Sequence, residues 1–238
     1  MAWSALARRT TSSYPVSPET GLPNVSLPDR YRYVVVEGPI GAGKTSLARR
    51  LAGHLSGELL LEAPDENPFL PKFYEEPRRH ALATQLFFLF QRIQQLRDLK
   101  QIDLFSGITV SDFLFDKDAL FARLNLADDE LHLYQQIYGQ LAPQAPVPDL
   151  VIYLQASQQH LVERVKRRDK SYERNIDERY LNRLADEYRR FFYQFDAAPL
   201  LIVNSDRLNF VDDQADFDLL LQRISEMKGP RAFFSKGD

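Results

Sequence analysis

Apolar, β-branched runs recur along the chain as YRYVVVE (31–37), ELLLE (58–62), GITVSD (107–112), LVIYLQ (150–155) and LLIVN (200–204). They are continuous rather than alternating. That is how a strand buried on both faces reads, whereas a half-exposed strand alternates apolar with polar positions. The stretches between them carry apolar residues at spacings of three and four, which predicts helices. From His80 to Lys100 the stripe Leu82, Leu86, Leu89, Ile93 and Leu96 marks a core face. Gln85, Phe88 and Arg92 form a second line set roughly a quarter-turn aside at ~100° per residue. Strands alternating with helices predict an α/β architecture, a parallel five-stranded sheet flanked by helices on both faces. Ligands of such sheets gather at the carboxyl ends of the strands, so a site is expected after Glu37, Glu62, Asp112 and Gln155.

Composition narrows the class. Apolar content of 44% and charged content of 26% are ordinary for a globular chain. Lys and Arg number 30 against 33 Asp and Glu, a net charge of −3, so no nucleic-acid partner is expected. With no cysteine, disulfides and thiolate metal sites are excluded. His54, His80, His132 and His160 are scattered and suggest no metal cluster. No apolar run approaches the ~20 residues that span a bilayer, and no membrane partner is expected. Residues 1–30, rich in Ser, Thr and Pro without periodicity, predict a disordered or loosely attached tail. Arg8, Arg9 and the lack of acidic residues before Glu19 are also what a transit peptide shows, although an unstructured extension is the plainer reading. Residues 31–226 then form one domain, and 227–238 a loose C-terminal tail.

Chemistry enters with Gly38-Pro39-Ile40-Gly41-Ala42-Gly43-Lys44-Thr45, followed by Ser46. It fits G-x-x-x-x-G-K-[ST], lies between a strand and a helix, and makes the fold P-loop NTPase-type. Glycines let backbone N–H groups turn toward phosphate oxygens, and the following helix adds its dipole. Lys44 is placed for the terminal phosphates and Thr45 for Mg²⁺, so a nucleoside triphosphate is the expected ligand. The base-reading Asn-Lys-x-Asp of a GTPase is absent, since that position reads VNSDRL (203–208). A small-molecule kinase needs a proton acceptor, an acceptor pocket and cations over the phosphate. Glu62, ending the second strand, is the candidate acceptor of the proton, with a solvated turn carboxylate as the plainer alternative from that segment alone. The basic run ERVKRRDKSYER (163–174) is the candidate cationic flap, with a solvated helix face as the alternative. Gln85, Phe88 and Arg92 suit a planar heterocycle, with hydrogen bonds to its edge and stacking on its face; a helix flank of ordinary polar residues is the alternative.

Together EGPIGAGKTSLARRLA, ENPFLPKFYEEPRRHALATQLFFLFQRIQQ, SDFLFDKDALFA, RVKRRDKSYERNI and RYLNRLADEYRRFF resemble the deoxynucleoside kinases, in particular their bacterial deoxyadenosine/deoxyguanosine kinase branch, from Tyr33 to Ile224. The resemblance implies ATP as phosphoryl donor, Mg²⁺, a deoxynucleoside acceptor with purines favoured, a cytoplasmic enzyme and a homodimer. It implies Glu62 as base toward the 5′-hydroxyl, with Tyr74 and Glu173 on the sugar 3′-hydroxyl and Gln85 on the nucleobase. Arg92 and Asp118 would form a purine-tolerant pair, and Phe88 and Phe121 the pocket walls. Arg164 and Arg168 would hold phosphates, and Asp112 would stand near Mg²⁺. Two departures matter. Phe113-Leu114 stand where the family carries Arg-Ser, so either Lys117 or Arg78 supplies the missing cation or turnover is poor. Asp169-Lys170 stand where Gly-Arg is common. Rival readings are a thymidylate or other nucleoside monophosphate kinase, and a catalytically weak nucleotide-binding sensor.

Overall fold

A computed structural model describes residue 27, residues 30–101 and residues 107–237. The expectation for residues 1–30 lies outside these except at Leu27 and Arg30. Strands β1 (Tyr33–Glu37), β2 (Glu58–Leu60), β3 (Thr109–Ser111), β4 (Leu150–Gln155), β5 (Leu200–Asn204) and β6 (Arg231–Phe234) form one sheet in the order β2-β3-β1-β4-β5-β6. Every neighbouring pair runs parallel. Helices α1 (Lys44–Leu55), α2 (Leu70–Glu75), α3 (Pro77–Gln101), α4 (Lys117–Asn125), α5 (Asp128–Leu141), α6 (Gln158–Arg168), α7 (Glu178–Gln194) and α8 (Gln214–Ser225) make the crossovers.

The period of two along each strand splits the core into two layers. Val34 and Val36 of β1, with Leu150, Ile152 and Leu154 of β4, face α1 and α8 through Leu47, Leu51, Phe217 and Leu221. Tyr33, Val35, Val151 and Tyr153 face the opposite layer, where Leu89 and Ile93 of α3 meet Leu184 and Phe192 of α7. Both faces of the central strands are therefore dry, as their unbroken apolar runs require.

The sheet has six strands rather than the predicted five. The sixth comes from the segment read as a loose tail, 227–238, where Arg231–Phe234 pairs with β5 from Leu200↔Arg231 to Val203↔Phe234. As an edge strand it is only half covered, and its burial alternates between exposed and intermediate positions, so it never shows the continuous apolar run that marks its neighbours. Side-chain bonds hold it down: Arg231 donates to the carbonyls of Phe192 (3.0 Å) and Phe195 (2.5 Å), and Lys236 pairs with Asp216 at 2.6 Å.

Two strands are shorter than their apolar runs. Pairing in β2 stops at Leu60 and in β3 at Ser111. The next residues leave the ladder because a side chain replaces it. The Glu62 N–H is taken by Asp112 Oδ1 at 2.7 Å, while the Asp112 N–H still reaches the Leu60 carbonyl at 3.2 Å. Both carboxylates are thereby turned into the crevice at the sheet's carboxyl edge.

Candidate active site

The glycine loop bridges β1 and α1 at that edge. Gly41 has φ +87°, and a Cβ there would lie 2.8 Å from the Leu161 carbonyl; Gly43, just before α1, has φ +99°. Both conformations exclude ordinary side chains. The free N–H groups of the first turn of α1 therefore open into the crevice, with no side-chain cap.

Two cavities meet around this loop. One, of about 610 Å³, is lined by Glu62, Tyr74, Gln85, Phe88, Arg92, Asp112, Lys117, Phe121 and Glu173. The other, of about 730 Å³, is lined by Gly41, Ala42, Gly43, Arg164 and the 206–212 segment. Lys44, Thr45, Ser46 and Arg168 border both. Gly38 and Pro39 are buried and line neither, while Ile40 faces the first cavity.

The centre of the first cavity is densely charged. Arg92 donates to Glu62 Oε1 through Nε (2.8 Å) and Nη2 (2.5 Å), and Lys117 Nζ lies 3.3 Å from Oε1 and 3.4 Å from Oε2 of the same carboxylate. Burial alone would raise the Glu62 pKa, but the charges of Arg92, Lys117 and Lys44 overcome it and hold the carboxyl at about 2. Asp112 is pushed the other way, upward by burial; its Oδ2 accepts the Thr45 hydroxyl at 2.5 Å. Lys44, which donates to the Pro39 carbonyl at 3.2 Å, is lowered by burial.

The second line of α3 points into this cavity. Gln85, Phe88 and Arg92 all line it, and the Arg92 guanidinium lies 4.9 Å from the Phe88 ring centroid. Asp118, fully buried, stands one layer behind. It accepts from Gln85 Nε2 (2.8 Å), from Arg92 Nη1 and from the Tyr134 hydroxyl (2.7 Å), which fixes the rotamers of the amide and the guanidinium. The core stripe is shifted from the predicted one at the start of α3: Ala81, Thr84 and Gln85 are buried, while Leu82 and Leu86 are half-buried. Thr84 borders the cavity, and its buried hydroxyl has no hydrogen-bond partner among the described residues.

At the mouth, Tyr74 stacks on Tyr172 with centroids 6.5 Å apart, and burial raises its phenol well above the usual range. Glu173, buried, receives Arg168 through Nε at 3.0 Å and through Nη2. Arg164 turns inward, donating to the Ser205 carbonyl at 2.8 Å and the Ala42 carbonyl at 3.4 Å. Asp169 is drawn away from Arg164 and Arg168: it pairs with Arg174 at 2.8 Å and takes a left-handed φ of 48° as it closes α6. Of the two substitute cations, Lys117 is in the cavity, while Arg78 is exposed on α3 and lines neither cavity. Phe113 is a core residue at 0% exposure. Sequence reasoning missed Glu37, Thr84, Tyr134 and Tyr172. For Glu37 a signal existed, a carboxylate ending a wholly apolar strand.

A family model described as deoxynucleoside kinase matches residues 34–227. The chain belongs to the deoxynucleoside kinase family. It is thus an ATP-dependent phosphotransferase that acts on a deoxynucleoside. Relatives of this kinase include a deoxyguanosine kinase of Bacillus subtilis, 32% identical over 82% of this chain and 97% of the relative. A deoxyadenosine kinase of Lactobacillus acidophilus is 31% identical over 81% of this chain and 94% of the relative. A solved structure of deoxyadenosine kinase from M. mycoides, with dCMP and dCDP bound, matches the kinase fold with a TM-score of 0.71 at 23% identity, covering 82% of this chain and 100% of that one. Among the described residues no helix is long and apolar enough to cross a membrane.

Proposed function

We propose that the enzyme moves the γ-phosphoryl of ATP to the 5′-hydroxyl of a purine deoxynucleoside, with Glu62 accepting the hydroxyl proton. One observation carries this reading: Glu62 shares its cavity with Lys44 and Thr45, and those two residues also border the second cavity around the glycine loop. The acceptor occupies the first cavity and the triphosphate the second, in a P-loop NTPase-type arrangement, so that hydroxyl and γ-phosphate meet where the cavities join. Much of the rate then comes from positioning and charge stabilisation.

A carboxylate held at about 2 is ionised at neutral pH but weakly basic. That suffices for a loose transition state, which needs an oriented proton acceptor more than a strong one. Lys44, Arg164 and Arg168 neutralise the phosphates. The hydroxyl of Thr45 and the carboxylate of Asp112 fit Mg²⁺, a hard cation that keeps several water and phosphate ligands; when bound, the ion neutralises phosphate charge. Tyr74 and Glu173 hold the sugar, and Phe88 and Phe121 enclose the base.

The purine preference rests on the Gln85, Arg92 and Asp118 network and on the deoxyguanosine and deoxyadenosine kinase names of the relatives. The homodimer and cytoplasmic location implied by the resemblance belong to the same proposal. A panel of the four deoxynucleosides and their 5′-monophosphates, each with ATP, tests it. Purine deoxynucleosides should be phosphorylated fastest. Preference for a monophosphate would favour a nucleoside monophosphate kinase, and ATP binding without transfer to any acceptor would favour a sensor.

A further inference from the structure

We propose that Lys117 is a positioning residue for phosphoryl transfer: with Glu37 it forms a buried strut that fixes the Glu62 carboxylate relative to the glycine loop. Lys117 opens α4 and its side chain is 2% exposed, an unusual state for a lysine unless it is paired. Its Nζ lies between two carboxylates, 3.4 Å from Glu37 Oε2 and 3.3 Å from Glu62 Oε1. Glu37 is held by three further donors. It accepts the Gly38 N–H at 2.8 Å, the Leu114 N–H at 2.7 Å and the Tyr188 hydroxyl at 3.0 Å. A continuous line of contacts thus runs from Gly38, the first residue of the glycine loop, through Glu37 and Lys117 to Glu62.

The second cation on Glu62 is differently placed. Arg92 also holds Asp118 and lies over the Phe88 ring, so it ties Glu62 to the acceptor pocket rather than to the glycine loop. Lys117 has its other contact in the framework, at the end of β1. It also supplies the cation that position 113 cannot, because Phe113 is packed in the core. Other charged and titratable groups facing Glu62 are Lys44, Asp112 and Tyr188; Tyr188 also bonds Glu37 and Lys44 faces it, but among the described residues Lys117 alone makes an ion pair with both carboxylates.

The inference rests on the reading of Glu62 as proton acceptor, and a double-mutant cycle separates the two. Lys117→Met should lower kcat by about 10- to 100-fold while KM for the deoxynucleoside stays within about threefold. Introduced into Glu62→Gln, the same change should alter kcat by less than about threefold, since the group it positions is gone. Lys117→Arg, which keeps the cation, should restore kcat to within about tenfold of wild type. If Lys117→Met does not fold, Lys117→Met with Glu37→Gln, which removes both halves of the buried pair, is compared in the two backgrounds instead. Equal losses in both backgrounds, or no loss at all, would overturn the strut while leaving Glu62 in its role. Near-normal turnover by Glu62→Gln alone would overturn both.

Discussion

Replacing Glu62 by glutamine should destabilise the protein at neutral pH and progressively less in acid. The carboxyl sits at about 2 against an ordinary 4.5, a difference of about 2.5 pH units and so about 3 kcal/mol at ~1.4 kcal/mol per unit. The side chain is 18% exposed, so solvent screening removes only part of this. Because the native value is depressed, the stabilisation is complete above pH 4.5 and is lost as pH falls through 2; about three-fifths of it is gone by pH 3. The variant orphans neither cation, since Arg92 keeps Asp118 and Lys117 keeps Glu37. Glu62→Gln should therefore be less stable than wild type by about 2–3 kcal/mol at pH 7 and by about 1 kcal/mol at pH 3. Urea unfolding of both proteins at several pH values between 7 and 3 measures the gap. Burial alone acts in the opposite direction. A gap that stays constant, or a variant that is more stable at pH 7, would show that the two cations do not outweigh desolvation.

Gln85→Leu removes the amide that Asp118 orients. Steady-state kinetics should show KM for the purine deoxynucleoside raised by about 10- to 100-fold, with KM for ATP changed less than about threefold. Asp169→Gly relieves a left-handed residue at φ 48° and gives up only an exposed ion pair with Arg174. Thermal unfolding should show Tm raised by about 2 °C, and an unchanged or lowered Tm would mean that the ion pair outweighs the backbone strain.

Much of this arrangement is legible in the sequence, and the remainder fails for definable reasons. β4 and β5, buried on both faces, are predicted to the residue, because a continuous apolar run leaves no ambiguity of face. β6 is not, because an edge strand needs only one apolar face and Arg231–Phe234 offers four residues of mixed character. The line Gln85, Phe88, Arg92 follows from helical period alone, and all three reach the cavity. Periodicity reports which face a residue occupies, not what it meets. The contacts of Lys117 with Glu37 and of Asp118 with Tyr134 join separate elements and become visible only when the sheet brings them together. The basic run 163–174 gives charge without direction. The helix turns Arg164 inward to Ser205, Glu173 draws Arg168 to the cavity mouth, and Asp169 takes Arg174 outward.

Everything proposed for catalysis depends on Glu62 lying where the acceptor hydroxyl meets the γ-phosphate. The most direct measurement is phosphoryl transfer by Glu62→Gln at saturating ATP and deoxynucleoside, paired with calorimetric binding of the deoxynucleoside. Turnover should fall by about 10²- to 10⁴-fold while nucleoside affinity stays within about tenfold. Turnover close to wild type with unchanged binding would contradict the assignment.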